Sequence, residues 1–159
     1  MAIAYLALGS NLGDRLALLR AATAALASDS LRVVAHSPVF ETAAETDEPQ
    51  PPYLNAVVRV DTALPARELL RRCLVVEASL GRERPRPGAA RTIDLDLLLH
   101  GDAVIDEPGL VVPHPRLLAR AFVRVPLALV AEPGLRHPIT GEPLDRCPPS
   151  PDVRLFATG

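Results

Sequence analysis

The chain has 159 residues, 48% of them hydrophobic, and a formal net charge of −2 at pH 7. This length and composition predict one domain over residues 1–159 with an ample core, and the small negative charge excludes a general attraction to nucleic acid or anionic membranes. No apolar run reaches the roughly 20 residues that cross a bilayer, and the N-terminus lacks a signal-peptide pattern, so we expect a cytoplasmic protein.

The first half of the chain predicts a strand, a helix and two further strands. Residues 2–8 are apolar on both faces of a strand, and the turn at 9–14 leads into a helix. Residues 32–40 form a second strand, the Pro-rich segment 43–52 is a loop, and the alternating residues 53–61 form a third strand. The helix is marked by apolar or small side chains at helical spacing: Leu12, Leu16, Leu19, Thr23 and Leu26.

The second half begins with another helix and another strand. Pro65 opens the helix and Gly81 is a natural C-terminal stop. Residues 82–91 are rich in Arg, Pro and Gly and predict a loop. The run at 94–99 then reads as a buried strand.

The end of the chain is less regular. We expect a short edge strand at 111–113 and a last helix at 122–131, in which Pro126 is tolerated only within the first turn. The tail at 133–159 is Pro-rich and predicted to be irregular.

The element order is β-α-β-β-α-β with an additional C-terminal helix. That order predicts an α+β, ferredoxin-like fold, an antiparallel sheet with helices on one face. The other face is then free to carry a site, and Asn55 and Asp96 fall on predicted central strands.

Asp94 and Asp96 stand two residues apart on the predicted strand and therefore share one face. Two neighbouring buried carboxylates repel each other, and a divalent cation offsets both this repulsion and the cost of burial. Mg²⁺ typically takes one or two carboxylates together with substrate phosphates and water. The pair predicts a magnesium site, with ion pairs to nearby arginines as the alternative.

Four arginines, Arg82, Arg84, Arg86 and Arg91, crowd just upstream of the carboxylates. A guanidinium presents forked donors that match phosphate oxygens, so this loop favours a polyphosphate ligand. The alternative is an ordinary solvated loop. Together with the carboxylates, the loop indicates an enzyme that uses a magnesium nucleotide.

Three further side chains are candidates for binding. Tyr53 and Asn55 share a strand face, where an aromatic ring can stack on a flat heterocycle and an amide can bond its edge, although ordinary sheet packing explains them as well. His114 lies between two prolines in an extended turn, and it is either a phosphate donor or a simple turn residue.

Six short motifs follow one another along the chain. They are Gly9-Ser10-Asn11-Leu12-Gly13, Tyr53-Leu54-Asn55-Ala56, Gly81-Arg82-Glu83-Arg84, Arg91-Thr92-Ile93-Asp94-Leu95-Asp96, Val112-Pro113-His114-Pro115 and Arg120-Ala121-Phe122. Over residues 2–132 the chain resembles the 6-hydroxymethyl-7,8-dihydropterin pyrophosphokinases of the folate pathway.

The resemblance implies a reaction and a set of site residues. The pyrophosphoryl group of ATP moves to the pterin hydroxyl and AMP is released, with two Mg²⁺ ions held by Asp94 and Asp96. The implied catalytic residues are Arg82, Arg91, Asp94 and Asp96, the ATP contacts are Arg82, Arg84, Arg91, His114 and Arg120, and the pterin contacts are Thr42, Tyr53, Asn55 and Phe122. Glu77 matches an acidic family position to which we assign no role.

The resemblance also implies partners and departs from the family pattern in places. ATP and the hydroxymethyl dihydropterin are the expected partners of a monomer, without nucleic acid or membrane. Ala43 and Ala44 stand where prolines are expected, and the 82–91 loop lacks the family's aromatic residue.

Two other functions are alternatives for this sequence. A ferredoxin-like regulatory domain that binds a small molecule without catalysis explains the fold and the arginines, but it does not need two adjacent carboxylates. A single-strand nucleic-acid binder needs several exposed aromatics, whereas only 3% of residues are aromatic.

Overall fold

The structure, a computed structural model, describes residues 1–44, 50–81 and 92–158. Within these ranges it contains eight strands and three helices. The strands are Ala2–Ser10 (β1), Leu31–His36 (β2), Val39–Thr42 (β3), Tyr53–Thr62 (β4), Asp94–His100 (β5), Ile105–Glu107 (β6), Leu110–Val112 (β7) and Arg154–Ala157 (β8), and the helices are Arg15–Leu26 (α1), Ala66–Ser79 (α2) and Ala121–Val130 (α3). No helix of the described residues is long and apolar enough to span a membrane.

Six of the strands form one antiparallel sheet. The strand order is β5-β1-β4-β3-β8. The sixth strand, β2, also pairs with β4, next to β3 along the length of that strand. The predicted α+β, ferredoxin-like arrangement is confirmed. Within the described residues β5 pairs only with β1, so Asp96 lies on an outer strand of the sheet and not on the central strand that we predicted.

The second predicted strand is split in two. Ser37 and Pro38 lie between β2 and β3, and Pro38 has no N–H for a ladder bond. Ser37 keeps the chain on β4, because its backbone N–H donates to Val57 O at 2.9 Å and its hydroxyl accepts from Val57 N at 2.9 Å. The strand therefore bends without leaving the sheet.

Two core clusters lie on opposite faces of the sheet. α1 and α2 pack on one face, where Leu19, Leu26, Leu69 and Cys73 are buried. α3 packs on the other face, where Leu127 is buried among sheet residues. The prediction of a free second face is wrong, because the apolar helix α3 covers part of that face. The cleft described below lies on the part that α3 leaves uncovered.

Three further predictions need correction. Pro126 lies in the middle of α3, beyond its first turn, and its ring is buried in the core of that face. β7 pairs with β6 in a separate hairpin and does not extend the main sheet. The irregular tail contains β8, which pairs with β3 through Phe40 and Glu41.

Candidate active site

A cleft of about 250 Å³ opens on the α3 face of the sheet, beside the first turn of that helix. It is bounded by β1, β4 and β5 below and by α3 at one side. Seven of the residues predicted for the site line it together: Thr42, Tyr53, Asn55, Asp94, Asp96, Arg120 and Phe122.

The floor of the cleft is set by the strand register. Gly9 on β1 lies between Asn55 on β4 and Asp94 on β5, and Ala7 is paired with Asp96. A Cβ atom at Gly9 would stand 3.4 Å from Asn55 Oδ1 and 3.5 Å from Tyr53 Cδ1. The missing side chain leaves open the space between the amide and the carboxylate.

Asp94 and Asp96 lie on the cleft face of β5, while Leu95 between them points into the opposite core. On that side the buried Glu77 of α2 accepts a hydrogen bond from Leu95 N at 2.7 Å. This bond anchors the backbone between the two aspartates. Glu77 thus lies behind the carboxylate pair, outside the set of residues that line the cleft.

The carboxylate pair fits the demands of Mg²⁺. The described residues contain no group of three or more His, Cys, Asp or Glu that could hold a metal. Mg²⁺ does not need such a group, because it commonly binds one or two carboxylates and completes its shell with phosphate and water oxygens. Asp94 and Asp96 on one wall of an open cleft supply that donor set.

The opposite side of the cleft carries the amide and the aromatic rings. Asn55 Nδ2 donates to Thr42 Oγ1 at 2.7 Å, and this fixes the amide at the junction of β3 and β4. Tyr53 lies two residues earlier on the same face of β4, and Phe122 comes from α3. The guanidinium carbon of Arg120 lies 5.3 Å from the centroid of the Phe122 ring. The arrangement suits a flat, polar-edged ligand.

His114 does not line the described part of the cleft, but it is coupled electrostatically to it. Burial lowers the pKa of His114, the charges of Arg120 and Arg116 lower it further, and Asp94 acts in the opposite direction. Its Nδ1 accepts a hydrogen bond from Arg116 N at 3.1 Å. A neutral imidazole that accepts at Nδ1 carries its proton on Nε2, which is then a hydrogen-bond donor.

The arginines of the predicted phosphate loop, Arg82, Arg84, Arg86 and Arg91, lie outside the described residues. Their places in the site stay predictions.

Gly9, Gln50 and Arg116 are among the lining residues of the cleft that the sequence did not assign to the site. The sequence predicts that Gly9 lies in a tight turn close to the site, whereas the structure places it on β1, paired with Asn55 and Asp94. Arg116 directly follows the Pro-His-Pro motif, and that position could have indicated a place in the site. No comparable pattern marks Gln50, because it falls in the Pro-rich loop.

Comparison with known proteins identifies the family. The model of the 7,8-dihydro-6-hydroxymethylpterin-pyrophosphokinase (HPPK) family matches residues 5–132. The chain belongs to this family. It is 46% identical over 132 residues to the 2-amino-4-hydroxy-6-hydroxymethyldihydropteridine pyrophosphokinase of Methylorubrum extorquens, a match that covers 82% of this chain and 84% of the relative.

Another relative extends the match almost to full length. The pyrophosphokinase of the same name from Aquifex aeolicus is 39% identical over 156 residues, covering 98% of this chain and 96% of its own. Most of the segment 133–159, beyond the family match, therefore has counterparts in this relative.

Solved structures show the same fold. An HPPK-DHPS in complex with substrates superposes with a TM-score of 0.68 at 12% identity, and the Plasmodium falciparum HPPK-DHPS does so with a TM-score of 0.69 at 14% identity. Each match covers 91% of this chain, which spans only 42% and 43% of those longer chains.

Proposed function

We propose that this chain transfers the pyrophosphoryl group of ATP to the hydroxyl of 6-hydroxymethyl-7,8-dihydropterin, a step of folate biosynthesis. Membership of the HPPK family supports the reaction. The observation that carries it in the structure is a cleft that joins a carboxylate pair to an amide and two aromatic side chains. A binding domain without catalysis has no use for the carboxylates.

The pterin half of the cleft is assigned to Thr42, Tyr53, Asn55 and Phe122. Tyr53 and Phe122 offer apolar faces to a flat ring, and the Asn55 amide offers a donor and an acceptor to the ring's polar edge. Because Thr42 Oγ1 already holds one amide hydrogen, the orientation of Asn55 is fixed before the ligand arrives. A prepared amide loses less freedom on binding.

The nucleotide half is assigned to the carboxylates and the basic side chains. Asp94 and Asp96 would hold two Mg²⁺ ions, which neutralise phosphate charge when bound with ATP. Arg120 lines the cleft, and neutral His114 can donate from Nε2 to a phosphate oxygen. We also assign phosphate contacts to Arg82, Arg84 and Arg91, on the sequence resemblance alone.

The reaction is a direct displacement. The hydroxymethyl oxygen attacks the β-phosphorus of ATP, its bond to phosphorus forms, the bond between the β-phosphorus and the oxygen shared with the α-phosphate breaks, and AMP leaves. The hydroxyl proton is released. Such transfers depend on alignment and charge neutralisation more than on covalent help, and this is what the cleft offers.

Product analysis tests the proposal. The full chain is incubated with ATP, Mg²⁺ and 6-hydroxymethyl-7,8-dihydropterin, and the nucleotides are separated. AMP in a one-to-one ratio with the pterin diphosphate is expected. ADP would mean a simple phosphoryl transfer, and no turnover despite pterin binding would favour the regulatory domain.

We further propose that residues 1–159 act as one domain, as a monomer and in the cytoplasm. Equilibrium sedimentation of the purified chain at micromolar concentration tests the monomer.

A further inference from the structure

Arg15, the first residue of α1, bonds both flanks of the chain segment that borders the cleft between β3 and β4. Its Nη1 lies 3.0 Å from Glu41 Oε2 and 2.9 Å from the carbonyl oxygen of Pro52. Glu41 comes directly before Thr42, and Pro52 directly before Tyr53. One guanidinium therefore joins the two points where the chain leaves and rejoins the sheet.

Those two points carry the pterin half of the cleft. Thr42 and Tyr53 are paired across β3 and β4, and Ala43, Ala44 and Gln50 beyond them also line the cleft. Arg15 itself is absent from the described lining. Its route to the cleft is through the Glu41 carboxylate and the Pro52 carbonyl oxygen.

The contact is partly shielded from water. The side chains of Arg15 and Glu41 are only 23% and 24% exposed. The Phe156 ring on β8 covers the guanidinium at 5.5 Å, and Arg154 on the same strand lies 3.5 Å from Glu41 Oε1. A charged hydrogen bond with little water around it is stronger than an exposed ion pair.

Asn11 supports the same region. Its Nδ2 donates to Gln50 Oε1 at 3.0 Å and to the carbonyl oxygen of Pro51 at 3.2 Å. Asn11, in the turn before α1, thus bonds Gln50 and Pro51, and Arg15, the first residue of α1, bonds the next residue, Pro52.

We propose that Arg15 is a positioning residue that holds the two ends of the segment between Thr42 and Tyr53, where Ala43, Ala44 and Gln50 line the cleft, and thereby sets the affinity for the pterin. This inference rests on the proposed function. Its selectivity follows from the layout of the sheet: the contacts of Arg15 are all on the β3 and β4 side, while Asp94 and Asp96 lie on β5 beyond β1. Pterin binding depends on Arg15, and binding of magnesium ATP does not.

Three variants test the inference. Arg15→Met removes the charge and the donors at similar length, and Arg15→Lys keeps the charge without the forked donors. Arg32→Met is the matched control, because Arg32 also bonds a carboxylate of the sheet, Asp61 at 3.2 Å, outside the described cleft lining.

We expect Arg15→Met to raise the KM for the pterin about tenfold, a change that corresponds to the net contribution of about one charged hydrogen bond. The KM for ATP is expected to change by less than about twofold. Arg15→Lys recovers part of the loss, and Arg32→Met leaves both constants unchanged. Deuterium exchange is expected to rise in peptides containing residues 41–44 and 50–53 of Arg15→Met, but not in peptides from β5.

Equal rises in both KM values, or none in either, overturn the inference. If Arg15→Met does not fold, Arg15→Lys decides the matter by the same comparison of KM values. If the wild-type chain releases no AMP, the proposed function fails, and the exchange measurement then shows separately whether Arg15 holds the two flanks. Unchanged exchange in Arg15→Met rejects that role whatever the activity.

Discussion

Under the proposed function, Asp94 is the residue on which we expect catalysis to depend most directly. We expect Asp94→Ala to lower the rate of AMP release by about 10²- to 10³-fold or more, because it removes half of the carboxylate pair that neutralises phosphate charge through bound cations. The rate is measured in excess Mg²⁺. Asp61→Ala is the control, since Asp61 bonds Arg32 away from the cleft. Wild-type rates for Asp94→Ala would contradict the metal-binding role.

His114 gives a pH dependence of stability whose sign is fixed by its surroundings. Its pKa is lowered below the ordinary value of 6.5, so the unfolded chain binds this proton more tightly than the folded one. The folded protein therefore loses stability as the pH falls below about 6.5, until the lowered pKa of the folded state is passed.

Unfolding in urea between pH 7.5 and 5 tests this dependence in the wild type and in His114→Asn. The comparison is needed because the pKa of His137 is lowered as well, again chiefly by burial. We expect the stability difference between the two proteins to shrink as the pH falls. A difference that stays constant would show that His114 titrates alike in both states.

For single residues, the prediction was correct where side chains suited to binding stand two residues apart on a predicted strand. The shared face of Asp94 and Asp96, and that of Tyr53 and Asn55, follow from the alternation of side chains in a strand. Gly9 escaped prediction because its contribution is an absent side chain, and only the register of three strands shows what that absence leaves open.

At the scale of elements, α3 shows how one helix serves both core and site. Its first turn brings Phe122 to the cleft, and Val123, Leu127 and Val130 on its inner face are buried against the sheet. Arg59 of β4 donates to Val130 O at 2.8 Å, at the C-terminal end of the helix, where a positive charge is favourable. The helix position was predicted closely, but the face that it covers was not.

The packing of α3 has a measurable consequence. Leu127→Ala is expected to lower the free energy of unfolding by about 2–5 kcal/mol, since the side chain is fully buried and leaves a cavity. Leu129→Ala on the same helix is the control, because that side chain is 59% exposed and its loss costs about 0.5 kcal/mol or less. Chemical denaturation measures both, and equal losses would mean that α3 is not packed as described.

At the scale of the whole molecule, we expect ligand binding to raise the free energy of unfolding. In a non-hydrolysable ATP analogue with a methylene bridge between the α- and β-phosphates, the bond that would break in the reaction cannot be cleaved. At a hundredfold excess over Kd it adds about 2.7 kcal/mol, which raises the melting temperature by about 5–10 °C for a chain of this size.

The rise is expected with Mg²⁺ and should largely disappear in EDTA, because we propose that Asp94 and Asp96 hold the nucleotide through the cation. Differential scanning fluorimetry measures both conditions. A shift of the same size in EDTA would contradict that role of the carboxylates.

The sequence alone determined the order of the main helices and strands, the carboxylate pair and the family resemblance, because strand alternation, helical spacing and short motifs are local properties of the chain. Only the tertiary structure decided that α3 occupies part of the second face, that β8 pairs with β3, and that Arg15 bonds both Glu41 and Pro52. These features depend on contacts between residues far apart in sequence, and a local pattern carries no record of which distant partner a face or an edge will meet.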